Sequence, residues 1–257
     1  MRLNPEKFEG SAMTITEYPN PILRRRGADI VDFDEKLKQT CKEMMTIMYQ
    51  ANGVGLAAPQ VNLGLRLFVY NPSGDKKLKM LEKVVCNPTI LEYSTESDIE
   101  DEGCLSSRSD CCDGAVCRAK WLWVEYQDVE GRKTKKKLTG FEARVFQHEY
   151  DHIDGVLHLD RFADDDRARI QPELDAMVAE YGGEEMILEL PAEKKATLEP
   201  PPLSGRMPSI LDDGDAVAIA PPKKKKAPPP PKTGFGGMGA ATTKAKATKA
   251  KPKKKKR

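Results

Sequence analysis

At 257 residues, 39% apolar and 32% charged, the chain has room for one domain of ordinary size with extensions, or for two small domains. No run approaches the ~18 consecutive apolar residues of a helical membrane span, and the first two thirds are too apolar for a wholly disordered chain. The formal net charge of +2 conceals two opposite parts: residues 1–190 hold 25 Lys and Arg against 35 Asp and Glu, whereas residues 191–257 hold 17 against 5. An acidic body carries a basic tail, and each needs its own explanation.

Residues 1–12 read as an N-terminal extension. The first 11 residues lack the charged, apolar, small-residue order of a signal peptide and are too short and acidic for an intact organelle transit peptide, an expectation that leaves room for a transit segment already removed. Six cysteines without the spacing of a secreted disulfide framework point to a reducing compartment.

Residues 34–52 predict an amphipathic helix: Asp34 can cap it, Leu37, Cys41, Met44, Met45 and Met48 share one face, and Asn52-Gly53 ends it. Residues 65–70 predict a strand stopped by Asn71-Pro72-Ser73-Gly74. A second strand region at 83–93 is broken by Asn87-Pro88. Residues 121–126 and 133–138 flank the turn Asp128-Val129-Glu130-Gly131, a hairpin signature. Trp121 and Trp123 alternate around Leu122, which predicts one in the core and one exposed. Residues 141–154 predict a helix ending near Gly155, after which 156–159 leaves as an extended segment. A last helix is predicted to start with Pro172 and to end at Tyr181, before Gly182-Gly183.

Strands in the middle and helices at the ends suit an α+β domain with antiparallel sheets, spanning 13–183. Residues 184–257 form a linker and a Lys/Pro/Ala-rich tail. The region from 191 onward holds 12 of the 19 prolines and the lysine blocks 223–226 and 253–256. Its apolar residues are too sparse to offset the entropy of ordering, which predicts disorder.

His148-Glu149-Tyr150-Asp151-His152 is an H-E-x-x-H pattern inside the helical segment 141–154. Four-residue spacing sets both imidazoles on one face, one turn apart, where they can share a divalent metal, with Glu149 beside them to take a proton from an attacking water. Two histidines on a charged surface helix would be the plain alternative. The residues leave the third ligand open. Residues 148–158 spell H-E-x-x-H-x-x-G-x-x-H, the metzincin metalloprotease pattern, with His158 third; the rival is Cys104 in Glu102-Gly103-Cys104-Leu105-Ser106. A thiolate and two imidazoles would suit zinc. Cys111, Cys112 and Cys117 lack a fourth ligand at suitable spacing for a second site.

The third unusual segment is Asn52-Gly53-Val54-Gly55-Leu56-Ala57-Ala58-Pro59-Gln60. Its glycines permit close approach of backbone to a ligand, and Gln60 offers an uncharged donor. No Gly-Lys-Ser/Thr follows, so it is not a phosphate loop. The three segments, in this order, resemble the peptide deformylase family, whose motifs G-x-G-L-A-A-P/T-Q, E-G-C-L-S and Q-H-E-x-D-H match at 53–60, 102–106 and 147–152. The likeness runs from about Tyr18 to Arg161, and Ala143-Arg144-Val145-Phe146 with Gly234-Phe235-Gly236 is most similar to plastid-type members.

The resemblance implies a hydrolase that removes the formyl group from N-formyl-methionyl nascent peptides. It implies Cys104, His148 and His152 as metal ligands, Glu149 as acid/base, and Gln60 with the Leu105 N–H as oxyanion donors. Gly55 would hold the substrate chain, and Val54, Phe141 and Val145 are candidate walls of the methionine slot. It favours Fe²⁺, with Zn²⁺, Co²⁺ or Ni²⁺ able to substitute. It also implies a plastid stroma, with mitochondrial matrix or cytoplasm as alternatives. The stretch from Ser107 to Gly114 departs from the family, which puts substrate contacts beyond methionine in question. The tail suggests contact with the ribosome or its RNA; no membrane partner is expected. Two other readings are a metzincin-like protease using His158 and an inactive member acting as an RNA-binding protein, the latter opposed by the intact Glu149.

Overall fold

The computed structural model describes residues 13–107 and 112–182; the expected N-terminal extension, the linker and the basic tail lie outside these residues. Helix α1 (Glu35–Gln50) starts where the Asp34 carboxylate accepts from the Leu37 N–H at 2.9 Å. It buries Leu37, Cys41, Met44, Met45 and Met48 as their spacing dictates, and ends where Asn52 turns left-handed at φ 57°.

Among the described residues seven strands follow: β1 (Gly55–Ala57), β2 (Leu67–Tyr70), β3 (Lys83–Tyr93), β4 (Ser97–Glu102), β5 (Gly114–Ala119), β6 (Trp121–Gln127) and β7 (Lys133–Thr139). Five make an antiparallel sheet in the order β1-β2-β3-β6-β7, and β4 pairs with β5 in a separate ribbon. The fold is α+β with antiparallel sheets. Strand β2 is buried along its whole length because it is covered on both sides. Leu67 and Val69 meet α1, while Phe68 and Tyr70 meet α2 (Gly140–Ile153), which packs across the opposite face through Ala143, Val145 and Phe146.

Four expectations need correction. Strand β3 runs unbroken through Asn87-Pro88: Asn87 sits at φ 49° in a register shift between Cys86 and Thr89, where Pro88 need not donate to the ladder. The last helix, α3 (Asp164–Tyr181), begins before Pro172, which lies inside it. Asp164, Asp165 and Asp166 fill its first turn and favour the start there, and Ile170, Leu174 and Met177 bury one face across the proline. His158 opens a 3-10 turn (His158–Arg161) rather than an extended segment, because Asp160 folds back to accept from the Leu157 N–H at 2.8 Å. The two tryptophans do not divide between core and solvent. Residues two apart share a sheet face, so Leu122 is the buried one and both Trp121 and Trp123 are half-buried on the other side.

Cys41 and Cys86 are core thiols that burial pushes up to about 12, so they are unreactive packing groups. No helix among the described residues is long and apolar enough to cross a membrane.

Candidate metal centre and active site

Helix α2 carries its chemistry on one side. Phe141, Val145 and Glu149 succeed one another at four-residue spacing, with His148 and His152 alongside, their rings 5.1 Å apart. Besides its apolar face, the helix is anchored by Gln147. Its amide oxygen accepts from the Ala119 N–H at 3.1 Å and its nitrogen donates to the Ala119 carbonyl at 3.0 Å, which fixes α2 against the end of β5.

Cys104 lies in the loop after β4. Its sulfur is 3.2 Å from His152 Nε2, and the donor atoms of Cys104, His148 and His152 all lie within 4.8 Å of one another. A metal–sulfur bond of ~2.3 Å and a metal–nitrogen bond of ~2.05 Å at a tetrahedral angle separate two such atoms by roughly 3.6 Å. The cluster therefore has the dimensions and chemistry of one metal's donor set. Glu149 is 4% exposed, and its Oε2 has no hydrogen-bond partner, a costly state for a buried carboxylate that a water or ligand at this centre would relieve.

The Gly-rich loop closes the site from the other side. A Cβ on Gly55 would stand 2.3 Å from Glu149 Oε1, so the carboxylate rests directly on the glycine's backbone. Gly55→Ala is expected to displace Glu149 and to lower turnover about 100-fold, since a 1 Å misplacement costs that much. The end of a flexible side chain can move, so thermal unfolding should stay near wild type. A large loss of stability with turnover intact would refute this reading. Gln60, 1% exposed, occupies a 3-10 turn (Ala58–Val61). Its oxygen accepts from the Ala57 N–H at 2.8 Å, which turns its Nε2 toward Cys104 Sγ at 3.4 Å and Ser106 Oγ at 3.2 Å. Leu105 packs its side chain toward Gly53, where an added Cβ would meet Cδ1 at 2.8 Å. The irregular segment around residues 16–18 holds both loops: the Thr16 N–H donates to the Gln60 carbonyl at 2.7 Å and the Tyr18 N–H to that of Ser106 at 2.8 Å.

Behind Cys104, His148 and His152 lies a buried ionic network that the sequence did not reveal. Glu102 accepts from His148 Nδ1 at 2.9 Å, from Arg118 at 3.0 and 2.8 Å, and from Arg144 at 2.8 Å. Arg118 also holds Asp151, which Arg161 grips in turn. The Glu102 contact fixes the His148 tautomer and leaves Nε2 for a metal. Glu102 was visible only as a letter of the motif around Cys104. Arg118 and Arg144 come from β5 and α2, and no local pattern joins them.

Charge follows from this packing. Burial opposes ionisation of Cys104, but the neighbouring imidazoles, His152 first and then His148, outweigh it and hold the thiol well below its usual range. Burial opposes the charge on His148 too, yet Cys104 and Glu102 hold its proton on. Glu102 overcomes its own burial through Arg118 and His148 and stays ionised. Glu149 goes the other way: burial first, then the Cys104 and Glu102 charges, push it up to about 8.

His158 stands beside the cluster without joining it. It is 2% exposed, its Nε2 donates to the Cys112 carbonyl at 3.0 Å, and its ring lies 5.7 Å from that of His148. Val145 is buried, and Val54 and Phe141 are half-buried against the same apolar cluster. Among the described cysteines Cys112 is buried and Cys117 exposed, and the described residues hold no second ligand cluster. Cys111 lies outside the described residues.

Two imidazoles one turn apart, a thiolate and a buried glutamate define a candidate mononuclear metal centre on an H-E-x-x-H helix. The family model for polypeptide deformylase matches residues 12–168. Peptide deformylase 1B, chloroplastic/mitochondrial, of Arabidopsis thaliana is 40% identical over 175 residues, covering 68% of this chain and 63% of the relative, so the chain spans just under two thirds of that protein's length. A Thermotoga neapolitana peptide deformylase is 43% identical over 144 residues, 56% of this chain and 83% of the relative. The crystal structure of a variant of the Arabidopsis thaliana enzyme superposes with a TM-score of 0.63 at 39% identity, covering 71% of this chain and 97% of that one. The chain belongs to the polypeptide deformylase family.

Proposed function

We propose that the protein hydrolyses the formyl group from N-formyl-methionyl nascent peptides, giving formate and a free amine. The observation that carries this is the convergence of Cys104, His148 and His152 within 4.8 Å beside Glu149, whose buried Oε2 is unpartnered. The two imidazoles and the thiolate would hold a divalent metal, which supplies a Lewis acid for the formyl carbonyl and acidifies the attacking water. Their chemistry alone suits Zn²⁺; family resemblance favours Fe²⁺, with Co²⁺ and Ni²⁺ as further substitutes.

Glu149 takes the water's proton at its free carboxylate oxygen and returns it to the departing amine nitrogen as the C–N bond breaks. Gln60 Nε2 and the Leu105 N–H donate to the developing oxyanion. Strand β1 is the edge of its sheet, and its free side beyond Gly55 offers backbone groups to an extended substrate chain. Val54, Phe141 and Val145 wall the methionine slot. The protease reading is disfavoured because His158 Nε2 is engaged by the Cys112 carbonyl.

Glu149 must be ionised to act. Burial raises it, and the charge of a divalent metal draws it back down. kcat/KM is therefore expected to fall about tenfold per pH unit on the acid side of a single ionisation, and Glu149→Gln should abolish that limb along with the activity. A flat acid side would contradict the role. Iron-loaded protein, prepared anaerobically and given a formyl-methionyl peptide, should release formate and amine in equal amounts; cleavage of an internal peptide bond would favour the protease instead.

The plant relatives, chloroplastic or chloroplastic/mitochondrial enzymes, support an organellar location for this chain, with plastid stroma first. We further assign residues 191–257, net +12, to contact with ribosomal RNA. Full-length protein should co-sediment with ribosomes at low salt and be released as salt rises. Removing these residues should leave hydrolysis of short peptides unchanged. Equal sedimentation of the shortened chain would rule out a tail-borne contact.

A further inference from the structure

The large sheet is covered unequally. On the α1 side, helix α1 packs over Leu67, Val69 and Cys86. Cys86 pairs with Gln127 on β6, so the alternate β6 residues Trp121, Trp123 and Glu125 look out on this same side, beyond the helix. They are half-buried, and β7 presents Lys133, Lys135 and Lys137 exposed beside them. Register pairs Trp123 with Lys137 and Glu125 with Lys135. The Lys137 ammonium lies 4.5 Å from the Trp121 ring centre, and that of Lys135 lies 6.0 Å from the ring of Trp123.

We propose that this outer face of β6 and β7 binds single-stranded RNA, its bases on Trp121 and Trp123 and its phosphates on Lys133, Lys135 and Lys137. A flat sheet face with aromatic rings between cations provides stacking surfaces and phosphate partners in one plane. Alternate lysines on a strand repeat every ~6.8 Å, a spacing comparable to the phosphates of an extended strand. The charge is local: the body as a whole is acidic, yet residues 131–139 contain no Asp or Glu. Arg132 is neutralised by Asp128 and Glu130, and Lys136 turns to Glu142 on the opposite face. None of Lys133, Lys135 and Lys137 makes an ion pair among the described residues. Edge-strand lysines alone would suffice to discourage strand-to-strand aggregation, but that task does not call for two tryptophans held under them. Glu125, within the patch, can accept from exocyclic base amines. A membrane surface would need apolar side chains projecting beyond the plane, whereas these rings lie half-buried in it.

The proposal is independent of the hydrolase reading, because α2 lies on the other side of the sheet. The chain has only two tryptophans, and both are on this face, so their fluorescence reports the site directly. Titrating the full-length protein with a short oligouridylate is expected to quench tryptophan emission saturably, with affinity falling as salt rises. Lys135→Glu with Lys137→Glu should weaken the binding seen by quenching at least tenfold. Lys135→Arg with Lys137→Arg should retain it, which separates lost charge from a damaged fold. Turnover on short peptides should be unchanged throughout. RNA binding without a change in emission would assign it to the tail and overturn the proposal. So would equal quenching in the charge-reversed variant, or quenching by phosphatidylserine vesicles or polyglutamate but not by RNA.

Discussion

Glu149→Ala is expected to keep its metal and lose turnover by ~10²–10⁴-fold, the span associated with a positioned acid/base group. The substitution takes away the proton carrier and none of Cys104, His148 and His152. It also removes a buried carboxylate with an unpartnered oxygen, so stability should rise rather than fall. The sign of its pH dependence follows from the direction of the shift. The Glu149 carboxyl titrates near 4.5 when unperturbed and near 8 in the fold, so the unfolded chain loses this proton first. Between those two values each rise in pH costs the metal-free protein stability, on the order of 1.4 kcal/mol per unit. Glu149→Gln should lack this loss, and the gap between the two proteins should widen from pH 4.5 to about 8 and then stay constant. Denaturant melts of both metal-free proteins across that range give the answer. A gap that narrows with pH would mean that the carboxyl is stabilised as the anion. Turnover close to wild type in Glu149→Ala would remove the residue from the mechanism.

Cys104→Ala is expected to abolish stable metal binding and activity together, while His158→Phe changes both by less than about tenfold, or roughly 1.4 kcal/mol. Both residues are buried and both neighbour the imidazoles. They differ in what they face: Cys104 Sγ lies 3.2 Å from His152 Nε2, whereas His158 spends its Nε2 on the Cys112 carbonyl. Losing that hydrogen bond should cost His158→Phe about 1 kcal/mol of stability. Metal analysis after dialysis, set beside the rate, distinguishes them. Metal retained without Cys104 and lost without His158 would reverse the ligand assignment.

The residues themselves could not choose between Cys104 and His158, because spacing along the chain favoured the continuous motif. Three-dimensional position separates them: β4 delivers Cys104 to the donor cluster, and the 3-10 turn at His158–Arg161 leaves His158 beside it. Strand β4 itself was invisible to periodicity. Its residues Ser97–Asp101 are exposed on both faces, so no apolar alternation marks it, and it exists through pairing with β5 and the grip of Arg144 on the Asp98 carbonyl. Helix α1 and the β6–β7 hairpin were legible because each buries one face of a regular period. Pro172 misled as a start signal: the burial of Ile170, Leu174 and Met177 outweighs one missing hydrogen bond. The Glu102–Arg118–Asp151 chain joins three elements, and buried ion pairs of that kind carry no local signature. Alternation around Leu122 suggests opposite fates for the two tryptophans, but period two places both rings on one side.

Stepwise addition of Fe²⁺ to metal-free protein under anaerobic conditions, with formate release from a formyl-methionyl peptide followed at each step, tests the central claim most directly. Activity is expected to rise in proportion to metal bound and to level off at one metal per chain, with none in the Cys104→Ala protein at the same iron concentration. Formate release that does not depend on metal, or a chain holding one metal and releasing no formate, would contradict it.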